Sequence, residues 1–274
     1  MQAITTPSKP KVTELGLNHA KFEIGGCFPG YGATLGNALR RILLSSLPGA
    51  AARSVKLKGV SHEFSTIPGV LEDVVQIILN MKQMRFRSHS DEPVTLTVKS
   101  KGEGIITGKD IKAPSSVEVV TPDQVIATLT DKKSEFEMEI VVDQGLGYVA
   151  VETRENEERE IGEIAIDAIY TPMKRVNYEV ENMRVGKRTD YDKITLEIVT
   201  DGSISPLEAF NKSVDILVAQ FSSLTASMEE EVAEEVPVVD EAVVEVAVEE
   251  TEEKVEKKEK PVRPARAKAK KSEA

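Results

Sequence analysis

The apolar residues of this chain repeat with a helical period near both ends of its foldable region and with a period of two between them, and few architectures accommodate that order. At Thr34–Leu47, the residues Leu35, Ala38, Leu39, Ile42, Leu43 and Leu47 recur at i, i+3, i+4, i+7, i+8 and i+12, which is one face of a helix. Thr34 is its expected N-cap, and Pro48–Gly49 its stop, because proline disfavours helix in the residue before it. The opposite face carries Asn37, Arg40, Arg41 and Leu44. A second helix is predicted from about Pro68 to Met84, with Ser65 or Thr66 near its start and apolar positions around most of its circumference. A third is predicted from Ser205 as N-cap, with Pro206 at the first helical position and Glu208 completing a capping box. Its stripe is Leu207, Phe210, Val214, Leu217, Val218, Phe221 and Leu224.

Between these helices Val55/Leu57, Val94/Leu96/Val98, Phe136/Met138/Ile140/Val142 and Ile194/Leu196/Ile198 alternate with polar neighbours, the pattern of half-buried strands. The order predicts an α+β protein in which residues 1–48 and 173–228 form one subdomain and residues 49–172 a second, inserted and rich in strands. Residues 229–274 differ in kind. Glu229–Glu253 holds twelve acidic residues and no basic one, and Lys254–Ala274 holds nine basic and three acidic, with neither aromatic nor glycine in either block. Such a segment buries too little apolar surface to offset its ordering entropy, so a disordered acidic-then-basic tail is predicted, despite the valines of Val236–Val248. The tail also accounts for much of the net charge of −11, leaving a mildly acidic body. No apolar run approaches the ~20 residues of a membrane helix, and the first ten residues lack the features of a signal peptide, so a cytoplasmic protein is expected.

Searched for chemistry, the sequence offers little. Gly30-Tyr-Gly32-Ala-Thr-Leu-Gly36 precedes a helix and could offer amides to a phosphate, but the third glycine falls one residue late for a dinucleotide fingerprint. A turn that lets chain and helix approach closely is the better reading. The pairs Asp190/Asp192 and Glu72/Asp73 lack a third convergent ligand and read as solvated charge. Cys27 excludes an internal disulfide, no serine sits in a nucleophile elbow, and His19, His62 and His89 form no metal spacing. Neither a catalytic residue nor a bound cofactor or metal is expected. Arg40 and Arg41 project from a helix whose other face is committed to packing; a partner surface and simple solvation fit that pattern equally.

The run Gly30–Gly49, with its core Thr34-Leu-Gly-Asn-Ala-Leu-Arg-Arg-Ile-Leu-Leu-Ser-Ser-Leu, resembles the signature of the bacterial RNA polymerase alpha subunit family. His62-Glu63-Phe64-Ser65-Thr66, Val70–Val74, Ile78–Lys82, Tyr170–Met173 and Arg188–Lys193 extend the resemblance over most of residues 10–225. It implies a homodimer that forms the platform on which the β and β′ subunits assemble, joined by omega and sigma in the complete enzyme. It implies a non-catalytic subunit of a nucleotidyltransferase that meets DNA through the complex and no membrane. Carried over by position, Asn37, Arg40 and Arg41 with His62, Glu63, Phe64, Ser65 and Thr66 would face β, and Arg41 is the expected anchor. Lys82, Pro172 and Val176 would face β′. Leu39, Leu43, Phe210, Val214, Leu217 and Phe221 would pack about the dimer axis, although the same residues could also build the core of one chain. The family's helical C-terminal domain has no counterpart after Met228, where no apolar helical face is visible. The basic end of the tail could touch DNA weakly through its phosphates. The rival reading, a stand-alone nucleotide- or nucleic-acid-binding protein, rests on the glycine turn and that basic end.

Overall fold

The computed structural model describes residues 4–154 and 160–234 of the 274-residue chain, with α-helical side chains described as far as Leu224. In chain order the elements are β1 (Lys11–Gly16), β2 (His19–Cys27), α1 (Tyr31–Ser45), β3 (Pro48–Leu57), α2 (Val74–Gln83), β4 (Phe86–Ser88) and β5 (Val94–Lys101). There follow β6 (Gly104–Thr107), β7 (Ile111–Lys112), β8 (Val117–Val119), β9 (Val125–Leu129), β10 (Glu135–Leu146) and β11 (Tyr148–Val149). The chain ends with β12 (Glu163–Ala165), β13 (Ala168–Ile169), β14 (Met173–Val185), β15 (Arg188–Thr200) and α3 (Pro206–Glu234). The α+β class stands, with strands predominating.

Two main hydrophobic cores divide the chain. One joins both ends of the foldable region: a four-stranded antiparallel sheet in the order β1-β2-β15-β14 packs under α1 and the first turns of α3. Phe22 of β2 stacks on Phe210 of α3, with ring centroids 4.6 Å apart, and Leu43, Ile194, Leu196 and Ile198 complete an interior closed to solvent. The other is drawn from residues between Ala50 and Ile166 and covers the face of a sheet ordered β7-β5-β10-β3-β4-β8 with the buried side of α2, Val74, Ile77 and Met81. The alternating residues read from the sequence are its inward rows: Val55 and Leu57, Leu96 and Val98, and Phe136, Met138, Ile140 and Val142 are all buried. On the outer face of the four-stranded sheet, His19 and Arg175 both reach Glu197, at 2.7 and 2.8 Å, so polar residues there pair with one another.

Helix boundaries depart from expectation where a residue distant in sequence caps or ties down the segment at the helix start. α1 begins at Tyr31, not Thr34, and no side chain of its own N-terminal segment caps it; Gly30 takes the left-handed conformation, φ 85°. α2 begins only at Val74, because the Asp73 carboxylate caps it by accepting from the Gln76 amide at 2.7 Å. Residues 65–72, expected to be helical, are instead tied to β9, where the Thr128 amide and hydroxyl donate to the Glu72 carboxylate at 2.6 and 2.9 Å. α3 starts as read, with the Glu208 amide donating to Ser205 Oγ at 3.2 Å, and continues to Glu234, six residues into the segment predicted to be disordered. The remainder of the expected tail, 235–274, lies outside the described residues. The described residues up to Phe221 form one compact unit, and α3 from Ser222 onward belongs to a second.

Candidate interaction surfaces

The outward face of α1 is the first candidate, and its position is set by a carboxylate from β15. Asp192, 8% exposed, accepts the amides of Gly30 and Gly32 through one oxygen, Oδ2, at 2.9 Å each, satisfying donors that a helix start leaves unpaired. A Cβ on Gly32 would lie 2.7 Å from that of Asp192, and one on Gly36 2.6 Å from the Tyr178 ring. The glycines therefore let α1 lie directly on β14 and β15. The turn that could have cradled a phosphate is occupied by the chain's own carboxylate. Asp190 is separate: it pairs with Arg188 at 2.6 Å, which holds its carboxyl below the usual range. Burial, and then the Asp192 charge, push the Cys27 thiol above its usual value, so Cys27 is a protonated core residue rather than a nucleophile.

Held this way, α1 turns Asn37, Arg40 and Arg41 outward. Arg40 donates to Asn37 Oδ1 at 3.4 Å and lies over the Tyr178 ring, 5.7 Å from its centroid. Arg41 is exposed and has no carboxylate partner among the described residues; it borders an open hollow with Thr34, Asn37, Tyr178 and Leu217.

The second candidate is a groove of 490 Å³ beside α2. His62, Glu63 and Phe64 form one end, Val75, Ile78, Leu79 and Lys82 of α2 one wall, and Glu163–Asp167 the other. Phe64 is 81% exposed, an unusual condition for a phenylalanine, and Leu79 is 52% exposed. Ser65, expected in the same contact, turns back to His62, accepting or donating at Nδ1 (3.1 Å) and donating to its carbonyl (2.8 Å). The structure thus joins two sets of residues that the sequence assigned to different partners, since Lys82 lies in the same groove as His62, Glu63 and Phe64. Its ammonium is bound to Asp167 at 2.7 Å, which, followed by the Val151 amide, holds that carboxyl below its usual range. Because the folded carboxyl titrates below the unfolded one, the stabilisation is complete above the ordinary aspartate value, ~4, and is lost as pH falls through the folded value. Asp167→Asn is therefore expected to lower stability by about 1 kcal/mol at pH 7 and by progressively less toward pH 3. Urea titrations across that range check it, and a difference independent of pH would contradict it.

Several expected contact residues lie inside. Pro172 and Val176 are buried and face the core, so they offer no surface to a partner. Leu39, Leu43 and Phe210, expected about a dimer axis, are 5, 0 and 7% exposed and build the chain's own core. Val214 and Leu217 are half-buried against it, whereas Leu207, Val218 and Phe221 of α3 are exposed by more than half. Leu207 and Val218, named in the sequence only as part of the stripe, are the outward apolar residues that periodicity alone could not separate from the core set. Glu72 and Asp73 are both structural, one tying a loop and one capping a helix.

The middle segment thus builds a core of its own, while an arginine-bearing helix lies on the sheet made from the two ends. Residues 55–171 match the family described as RNA polymerase Rpb3/RpoA insert domain. The alpha subunit of the DNA-directed RNA polymerase of Moorella thermoacetica is 47% identical over 234 residues, covering 85% of this chain and 74% of that protein. Those of Carboxydothermus hydrogenoformans, 51% identical over 212 residues (77% and 67%), and Symbiobacterium thermophilum, 49% over 229 (81% and 72%), are similarly related. This chain belongs to the DNA-directed RNA polymerase alpha subunit family. Alpha subunits are components of a multisubunit nucleotidyltransferase, and no helix among the described residues is long and apolar enough to cross a membrane.

Proposed function

We propose that the chain dimerises and serves as the platform on which the β and β′ subunits assemble, without contributing to the polymerase active site. The observation that carries this reading is Arg41: an exposed guanidinium with no carboxylate partner among the described residues, on a helix immobilised by Asp192 and two close glycine contacts. A guanidinium offers five donors in a rigid fork, and one carried on a backbone already held in place gives up only side-chain freedom on binding, which suits it to anchor a desolvated interface. In this reading Asn37, Arg40 and Arg41 meet β together with His62, Glu63 and Phe64. The dimer contact draws on the exposed side of α3, Leu207, Val218 and Phe221, in place of the residues found in the core. Residues 1–48 and 173–228 act as the dimerisation subdomain and 49–172 as the inserted one. Lys82 belongs with the β-facing groove, and Pro172 and Val176 support the β′ contact only by fixing the start of β14.

Co-purification of tagged full-length chain with the two large subunits, with light scattering for the dimer, tests the reading. Wild type is expected to recover both subunits, and Arg41→Ala to stay dimeric while losing at least thirtyfold in affinity for β, since truncating an interface anchor costs ~2 kcal/mol or more. A monomeric wild type that recovers neither subunit would return the chain to the rival reading of a stand-alone nucleic-acid-binding protein.

A further inference from the structure

The groove beside α2 has a feature that side chains alone do not convey: one of its walls is the open edge of a sheet. β12 pairs antiparallel with β3 through Glu163↔Lys56, Ile164↔Val55 and Ala165↔Ser54, and among the described residues no strand lies on its other side. The direction of its backbone groups follows from the ladder. The Ile166 amide donates to the Arg53 carbonyl at 2.9 Å, so that pair is hydrogen-bonded to β3, and in an antiparallel ladder the hydrogen-bonded pairs alternate. Ile164 therefore also faces β3, while the amides and carbonyls of Glu163 and Ala165 face away from it. The Glu163 amide obeys this, donating to the Glu160 carbonyl at 3.1 Å rather than to β3. Ala165 presents its N–H and C=O to the groove it lines.

Opposite that edge stand Val75, Ile78 and Leu79 of α2, with exposed Phe64 at the end. The rim is acidic. Asp167 is neutralised by Lys82, but Glu63, Glu152 and Glu163 form no salt bridge among the described residues. A backbone edge whose Ala165 donor and acceptor have no partner among the described residues, an apolar wall lining the same groove and carboxylates that form no salt bridge are together the requirements for capturing an extended segment by strand addition. Alternate side chains of such a segment would meet the apolar wall and the acidic rim.

We propose that this groove binds an extended segment of alternating apolar and basic residues from the β subunit, which adds as a strand to β12 at Ala165. The proposal rests on the platform reading above and specifies how β is held there. A helix laid in the groove would leave the Ala165 N–H and C=O unused, and an acidic segment would be repelled by the rim.

Ala165→Pro is the discriminating variant, because it deletes the outward amide without touching a hydrogen bond to β3, and proline is tolerated at strand edges. Full-length Ala165→Pro is expected to keep the wild-type melting temperature and dimer mass while its half-saturating concentration of purified β rises at least tenfold. Glu152→Lys, at an exposed position with no salt bridge among the described residues, is expected to weaken β binding severalfold, and more so at low salt. It decides the question if the proline variant fails to fold. Hydrogen exchange of peptides covering residues 163–167 should slow on adding β. The proposal is overturned if Ala165→Pro and Glu152→Lys bind β within twofold of wild type while Arg41→Ala loses it, which leaves the platform reading intact; if Arg41→Ala also binds normally, both fall. Slow exchange of the Ala165 amide itself in the isolated chain likewise overturns it, assigning the edge to a second copy if the protection depends on concentration and to this chain itself if it does not.

Discussion

Asp192→Ala is expected to destabilise the protein by about 3 kcal/mol, the sum of a lost helix cap and of donors left without a partner. The two amides it receives, from Gly30 and Gly32, lie at the start of α1 in a part-buried to buried setting, and no other side chain caps that helix. Gly30 is exposed, but removing the carboxylate leaves the buried Gly32 amide without an acceptor that water can readily replace, which is why the loss should exceed that of a solvent-exposed cap. At this chain size the change corresponds to a fall of roughly 6–12 °C in melting temperature. Asn at 192 keeps an acceptor oxygen and loses only the charge, so Asp192→Asn should cost about 1 kcal/mol. Gly32→Ala attacks the same contact from the other side, since its methyl would lie 2.7 Å from both Asp192 Cβ and Val180 Cγ1. Alanine at 192 leaves those two contacts but removes the Asp192 Oδ2 atom that would lie 2.9 Å from the methyl, and both changes disturb the same hydrogen bonds, so the double variant should be less damaged than the single losses predict when added. Denaturant titration of the four variants measures this directly; additive losses, or a melting temperature for Asp192→Ala within 2 °C of wild type (a margin well below the shift estimated above), would mean that α1 is held by its apolar face alone.

The same contact explains which parts of the fold could be read from sequence. α3 was legible because its cap, first-turn proline and stripe are contiguous, and the Glu208 amide does donate to Ser205. The inward rows of β3, β5, β10 and β15 were legible because alternation is a property of neighbours. The start of α1 was not, because its cap lies 160 residues away from Gly32. α2 was overextended because the preceding apolar residues look helical in isolation, yet Glu72 ties them to Thr128, 56 residues on. Periodicity identifies the apolar side of a helix without saying whether that side meets its own sheet or another molecule. Leu39, Leu43 and Phe210 were placed at a dimer axis by the resemblance, with the core of one chain left open as the alternative, and they are found in that core. Of the candidate surfaces, Arg41 and Phe64 were singled out by the resemblance, and both are exposed. The open edge of β12 was not, because a three-residue strand carries no pattern and its significance depends on what α2 places opposite.

Gly49→Ala is expected to be still more damaging, at 3 kcal/mol or above, the range of severe overpacking. A Cβ at this position would lie 1.9 Å from the Tyr170 carbonyl oxygen, closer than any non-bonded contact, and the obstacle is backbone. It cannot swing aside as a side-chain tip would, because Tyr170 is fixed on both flanks: its amide donates to the Gly147 carbonyl at 2.9 Å, and its hydroxyl donates to Asp143 at 2.7 Å. The location makes the clash consequential for the whole unit. Residues 48–49 carry the chain out of the terminal core into β3, and residues 170–172 carry it back toward β14. The two passages touch at Gly49, and the return is pinned further where the Asp201 amide donates to the Pro172 carbonyl at 3.0 Å. Separating them by the ångström or more that a methyl demands should loosen both cores together rather than melt one and spare the other. Hydrogen exchange distinguishes the cases, with Leu196 reporting on the terminal core and Met138 on the inserted one, both fully buried in wild type. Parallel loss of protection at the two amides is the expected result. Loss at Met138 alone would show that the inserted core depends on the crossing and the terminal one does not, and unchanged protection at both would mean that the close approach of Gly49 to Tyr170 is not required for folding.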